Sequence, residues 1–265
     1  MLPIVRFGYR QEGVVGMLDS WAGVICALVA VIISGLAKGG FAGLGGLAMP
    51  IMVLANPPVE SAAVLLPILI VQDMVGVWSF RRHWDAWVLR VMVPGMTIGV
   101  GLGYLFSRFV SEQSVLLAVG VVALVFGLQR LWAERGGRTA LPSDSPSWVG
   151  LTFGTFSGFV SHIAHAGAPP FQMWVLPRKL ERDVLVGTTA IAFAYMNWIK
   201  VPAYAALGQF SRANLIHSAW LVPVALGSTW VGVWVVRRID TARFYRLIYG
   251  LMIVVGVKLI WDGLR

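Results

Sequence analysis

Between Ser34 and Pro50 the chain sets Gly35, Gly39, Gly40, Gly43, Gly45 and Gly46 around a single lysine, Lys38, inside an otherwise apolar run. Glycine at this density breaks a helix, since each costs about 1 kcal/mol relative to alanine. Inside a bilayer a break is tolerated only where protein or a water-filled cavity surrounds the freed backbone. The N–H groups of the half-helix that follows, together with Lys38, would then offer positive potential to an anion. The competing reading is a tight glycine-packed hairpin with Lys38 snorkelling to the interface. A related stretch, Ser157 to Pro170, carries Ser161, His162 and His165 where the first has its basic-glycine element. Two histidines three apart share one face of a helix. They lack the further ligands that a zinc site requires, so hydrogen bonding to substrate, proton carriage or a backbone-bonded structural role are the open alternatives. Asp73 lies well inside its own apolar segment, where a carboxylate needs a partner or a cavity. It is read either as a coordinating or proton-coupling group or as an interhelical hydrogen bond, and its counterpart in the second half is Asn197, three residues before Lys200. Gln72 and His217 are weaker sites of the same kind, more often packing residues. Cys26 is the one cysteine, so neither a disulfide framework nor a cysteine-based metal cluster is available.

These residues sit in a chain whose composition leaves little choice of element. Of its 265 residues 58% are hydrophobic and 12% charged, far from the soluble average. Apolar segments fall at 17–37, 41–55, 59–80, 86–107, 114–132, 148–164, 166–177, 184–204, 213–236 and 244–262, several of them close to the roughly 20 residues needed to span a bilayer. The expected fold is an all-α integral membrane protein. Its first segment stays in the membrane, because apolar segments continue to Trp261 instead of giving way to a soluble remainder. The net charge of +9 comes from short basic clusters between apolar segments, the pattern of membrane loops, and nucleic-acid binding is excluded for want of a soluble basic surface. Tryptophans such as Trp78, Trp132, Trp148 and Trp261 fall near segment ends as interfacial anchors do.

The polar stretch 133–147 divides the chain into a first membrane repeat, 17–132, and a second, 148–263. Ser34-Gly35 has a counterpart in Ser157-Gly158, and Asp73 and Asn197 follow at nearly equal spacing. Val93-Pro94 and Val222-Pro223 each precede a glycine, Gly103 and Gly232, by the same interval. Basic residues indicate how the halves cross the membrane. If 17–56 and 148–177 are hairpins that return to their starting side, one face collects Arg81, Arg82, Arg130, Arg135, Arg138, Arg178, Lys179, Arg182, Arg237, Arg238, Arg243 and Arg246. The other keeps Arg6, Arg10, Arg108, Arg212 and Arg265. Single crossings in place of the hairpins would spread the charge almost evenly. The positive-inside rule therefore favours hairpins, with the first face and the linker cytoplasmic and both termini outside. Each half is then a broken or re-entrant hairpin followed by three transmembrane helices, and an odd number of crossings makes the two repeats inverted. Gly95, Gly99 and Gly103 recur every fourth residue and predict a close helix contact.

The Ser34-Gly-x-x-Lys38-Gly-Gly-Phe element, with Gly45-Gly46 and Pro50 following, together with Ser161-His-Ile-Ala-His-Ala-Gly-Ala-Pro-Pro170, Gly187-Thr-Thr and Asn197-Trp-Ile-Lys200, resembles the TauE/SafE family of membrane transporters over roughly 18–263. The resemblance implies export or uptake of sulfite and organosulfur anions such as sulfonates. The second hairpin departs from many members in carrying histidines where they have a dense glycine run.

The function expected is therefore secondary transport of a small anion across the cell inner membrane. The substrate-binding residues are Lys38, Gly39, Gly40, Gly43, Gly45, Gly46, Ser161, His162, His165 and Asn197, with Asp73 and Lys200 coupling. The site lies between the hairpin tips near the midplane. An anion channel is the nearest alternative. An intramembrane enzyme using Asp73 with His162 or His165 is a more distant one, since no catalytic motif accompanies those residues. A phosphate-binding loop for direct ATP drive is missing from the sequence. No cofactor is expected; the partners are the anionic substrate and the lipid bilayer, and a homo-oligomer is compatible with the sequence.

Overall fold

The computed structural model describes residues 20–38, 44–107, 109, 111–134, 136, 145–235 and 242–265. Of the residues singled out above, Gly39, Gly40 and Gly43 lie outside the described residues, as do 137–144 of the linker, the basic pair at 237–238 and the first nineteen residues. Among the described residues every element is helical, as expected of an all-α membrane protein.

The order is α1 (Trp21–Lys38), a 3-10 turn (Leu44–Leu47), α2 (Ala48–Met52), α3 (Pro58–Phe80), α4 (Ala86–Ser107) and α5 (Glu112–Glu134). Then follow α6 (Ser147–Ala164), α7 (Ala168–Val175) with a 3-10 turn at Leu176–Arg178, α8 (Arg182–Ala206), α9 (Arg212–Val235) and α10 (Ala242–Gly263). Local chemistry sets many of these limits. α1 stops at Lys38 where Gly39-Gly40 begin, and prolines open α3 and α7, where a missing N–H costs nothing. Ser20, Asp85, Ser111 and Ser211 accept first-turn N–H groups of α1, α4, α5 and α9, which would otherwise be orphaned in the membrane. Six helices, α1, α3, α4, α5, α8 and α9, are long and apolar enough to cross a membrane by length and composition. Their outward residues suit lipid: Ile98, Leu102, Leu105 and Phe106 on α4 and Val121, Val125 and Leu128 on α5 are exposed. A belt of that kind would drive a soluble protein to aggregate, whereas hydrocarbon accepts it without cost.

Both broken segments double back. The Asn56 amide, after α2, donates to Gly23 O at the start of α1 (3.3 Å). Arg178, after α7, reaches Ser145 O just before α6 (3.3 Å). Each long first arm therefore ends beside a second arm that returns to its own beginning.

Packing between the halves is reciprocal. α4 lies along α6 and α9 along α1, while α3 pairs with α8 and α5 with α10. The last two pairs are antiparallel. The end of α3 at Phe80 and His83 meets Gly187 near the start of α8, and Gly120 of α5 meets Gly256 and Ile260 late in α10. At the α4–α6 contact a Cβ on Gly99 would sit 2.0 Å from Thr155 O, and one on Gly158 would sit 2.2 Å from Met96 O, so the backbones touch where side chains are smallest. Close van der Waals approach is what holds helices together when lipid tails are as apolar as leucine. Gly35 and Gly232 serve the α1–α9 contact in the same way, against Ser228 and Leu36.

Candidate functional site

The 3-10 turn that precedes α2 and the break between α6 and α7 share the core, Leu44 and Leu47 lying in one cluster with Ala164 and Ala166. Against them runs one stripe of α8: Phe193, Asn197, Lys200 and Tyr204 recur at helical spacing and share a face. Asn197 lies about 22 Å along α8 from Arg182 and about 13 Å from Ala206 by helical rise, well away from either end.

Lys38, the last residue of α1, forms an ion pair with Asp73 of α3, and the second carboxylate oxygen of Asp73 accepts from Asn197 Nδ2 at 2.6 Å. Asp73 is 1% exposed, so both its oxygens are engaged in a nearly water-free interior. The Lys38 ammonium also lies over the Phe193 ring, 5.1 Å from its centroid, where the ring face favours a cation.

Lys200 is arranged differently. It is 0% exposed, and its ammonium donates to Ser161 O (3.3 Å), Ser161 Oγ (3.1 Å) and His165 Nδ1 (2.9 Å). All three acceptors are neutral. Among the described residues the carboxylate of this cluster is Asp73, already held by Lys38 and Asn197, so two lysines share one negative charge. Because Lys200 donates into Nδ1, the His165 ring proton belongs on Nε2, which faces Ala62 O at 2.9 Å and Tyr204 Oη at 3.3 Å. Tyr204 Oη in turn donates to His162 O (2.9 Å).

The histidines do not share a helix face as their spacing predicts. α6 ends at Ala164, ahead of Gly167 and the proline pair, and His165 adopts the left-handed conformation at φ 49°. A non-glycine residue there costs of order 1–3 kcal/mol and is held only by its surroundings, here the contacts to Lys200, Ala62 and Tyr204. The turn swings His165 toward α8. His162 stays on α6, against Gly103 of α4, with Nδ1 buried and without a protein partner.

Of the residues singled out in the sequence, Lys38, Asp73, Ser161, His165, Asn197 and Lys200 come together at the tips. Gly45 and Gly46 lie in the 3-10 turn before α2, Gly45 beside Ala37 and Gly46 beside Met252 and Phe126. Gln72 bonds Val31 O (3.1 Å), and His217 lies 3.7 Å from Glu60, both away from the cluster. Tyr204 and Phe193 belong to it although sequence reasoning did not select them. Their i−4 and i+4 spacing from Asn197 and Lys200 was the available signal. No group of three or more metal-ligating side chains occurs among the described residues.

Membrane-length helices around a buried ionic cluster, where two doubled-back segments meet, define a polytopic membrane protein organised as transporters are. The family model described as sulfite exporter TauE/SafE matches residues 26–259, nearly the whole chain, and the chain belongs to that family. It is a family of membrane transporters for sulfite and organosulfur anions, not of enzymes. Comparison with curated proteins and with solved structures finds no match.

Proposed function

We propose that this chain is a secondary transporter that carries a small anion, sulfite, a sulfonate or a related organosulfur anion, across the inner membrane, and that it binds the anion between the hairpin tips. The observation that carries the reading is Lys200: a fully buried ammonium whose hydrogen-bond acceptors are all neutral. A buried charge is costly unless it is paired, and a single anion beside Lys200 would balance the cluster of two lysines and one carboxylate. Ser161 and His165 hold that ammonium in place, while Lys38, Asp73 and Asn197 form the neighbouring, neutral part of the site. The backbone of Gly39–Gly46 remains a proposed contributor of N–H groups to the anion.

The antiparallel pairing of α3 with α8 and of α5 with α10, together with the reciprocal α4–α6 and α9–α1 contacts, supports reading the halves as inverted repeats. Such repeats rock around a central site to expose it to alternate sides. The basic loops support a cytoplasmic position for Arg81-Arg82, 133–147, 178–182 and 237–243. Binding by purified protein tests the proposal. Sulfite, thiosulfate and methanesulfonate should compete for one saturable site that Lys200→Met weakens, and failure of all three to bind would remove the anion reading.

A further inference from the structure

We propose that Lys200 exchanges its proton, through His165 and Tyr204, with a pocket at the N-terminal end of α3, so that anion movement is coupled to protons from that side of the membrane. The inference rests on the anion site proposed above and extends it to the driving force.

Direct contacts join Lys200, His165 and Tyr204. Lys200 Nζ lies 2.9 Å from His165 Nδ1, and His165 Nε2 lies 3.3 Å from Tyr204 Oη. Tyr204 lines a pocket with Val59, Ala62, Ser107, His162 and Gln209. His162 Nδ1 and Gln209 Oε1, both from that lining, are buried polar atoms without a protein partner, and such atoms in a cavity suit water. Val59 and Ala62 open α3, Ser107 closes α4 and Gln209 follows α8, so the pocket belongs to one end of the bundle. A second pocket, lined by Arg130, Gln172 and Pro177 among others, lies at the other end, and the chain of polar groups does not lead to it.

The proton balance closes without a co-reactant other than water. Lys200 gives one proton to His165 Nδ1, His165 turns its Nε2 proton from Ala62 O and gives it to Tyr204 Oη, and the Tyr204 hydroxyl turns from His162 O to release its own proton to water in the pocket. Lys200 becomes neutral, the His165 ring stays neutral with its proton moved to Nδ1, and Tyr204 is unchanged. The reverse sequence charges Lys200 from the pocket when the anion binds. When the site turns to the other side and the anion leaves, Lys200 gives this proton to the water that replaces the anion there, because the ammonium then keeps only Ser161 and His165 as neutral acceptors, so one proton crosses with each anion. The charged and titratable groups around Lys200 are Lys38 from α1, Asp73 from α3, His162 and His165 from the second hairpin and Tyr204 on α8 itself. Lys38 repels the ammonium while Asp73 attracts it. Glu60 and His217, paired with each other on α3 and α9, lie nearer the same end.

The test uses full-length protein in proteoliposomes with trapped pyranine and radiolabelled methanesulfonate, whose charge is constant between about pH 4 and 9 as expected of a strong acid. In wild type, net methanesulfonate flux should change pyranine fluorescence, and a pH gradient should drive uptake. Tyr204→Phe keeps the ring but removes the hydroxyl; whatever it does to binding, the ratio of gradient-driven uptake to exchange at equal pH should fall tenfold or more. Net methanesulfonate flux in wild type without proton movement would overturn the inference even if the variant fails to fold. Coupled flux in Tyr204→Phe equal to wild type would overturn it as well. If methanesulfonate does not move, thiosulfate is the second probe under the same criteria. If neither anion moves nor binds, the transport reading itself fails, whereas movement of either without protons defeats the coupling alone.

Discussion

Replacing each of the two lysines of the cluster with methionine should produce opposite failures. Lys200→Met removes the charge that lacks a carboxylate and keeps most of the apolar stem. A lost charge-assisted hydrogen bond to the anion is worth roughly 1.5–3 kcal/mol, which is about ten- to more than a hundredfold in affinity. Stability should change little, because removing an uncompensated buried charge offsets the acceptors left at Ser161 O and His165 Nδ1. Lys38→Met does the reverse. It strands the Asp73 carboxylate, 1% exposed, with Asn197 as its remaining partner. Removing one member of a buried ion pair costs about 3–5 kcal/mol, so this variant should lose stability first. A lysine snorkelling to the interface could be replaced without loss of stability; the pairing of Lys38 with Asp73 reverses that expectation. Adding Asp73→Leu to Lys38→Met should recover much of the loss, since the two residues act as one unit. Thermal unfolding and thiosulfate titration of the three purified variants and wild type in one detergent decide the matter. Wild-type affinity in Lys200→Met, or Lys38→Met as stable as wild type and no better when combined with Asp73→Leu, would refute the charge argument.

Further expectations are more local. Gly99→Ala should destabilise by about 1–3 kcal/mol, because its methyl would lie 2.0 Å from Thr155 O on the facing helix backbone. Gly101→Ala, two residues on with nothing within 4 Å, should be neutral or up to about 1 kcal/mol stabilising, and thermal unfolding compares the pair directly. In a Cys26→Ala background, Arg82→Cys, Ser145→Cys and Lys179→Cys should react with an impermeant maleimide from the cytoplasmic side, and Gln209→Cys from the other. Labelling of positions 145 and 179 from opposite sides would remove the hairpin arrangement of the second half.

Much of the architecture was legible in the residues because lipid leaves the backbone few choices. A chain that must satisfy its own N–H and C=O groups becomes helix wherever it is apolar for long enough, so α3, α4, α5, α8 and α9 follow the apolar segments within a few residues. The end of α1 at Lys38 was legible too, since Gly39-Gly40 follow immediately. The fourfold spacing of Gly95, Gly99 and Gly103 announced the α4–α6 contact but not its partner. What the sequence withheld was long-range pairing. Lys38 and Asp73 are 35 residues apart, and Lys200 and Ser161 are 39 apart. Nothing in either pattern says which lysine meets the carboxylate. Tyr204 ends the apolar segment 184–204, and only its place on one stripe with Asn197 and Lys200 gives it neighbours. His165 left the face it shares with His162 because the glycine and prolines after it end the helix one residue early.

The most direct test of the account is flux of radiolabelled thiosulfate, sulfite and methanesulfonate into proteoliposomes containing wild type or Lys200→Met at matched protein content. The account predicts saturable, mutually competitive uptake of at least one of them by wild type, falling about tenfold or more in Lys200→Met at subsaturating concentration. Uptake that fails to saturate would indicate a pore, and saturable uptake indifferent to Lys200→Met would contradict the claim that this buried lysine binds the transported anion.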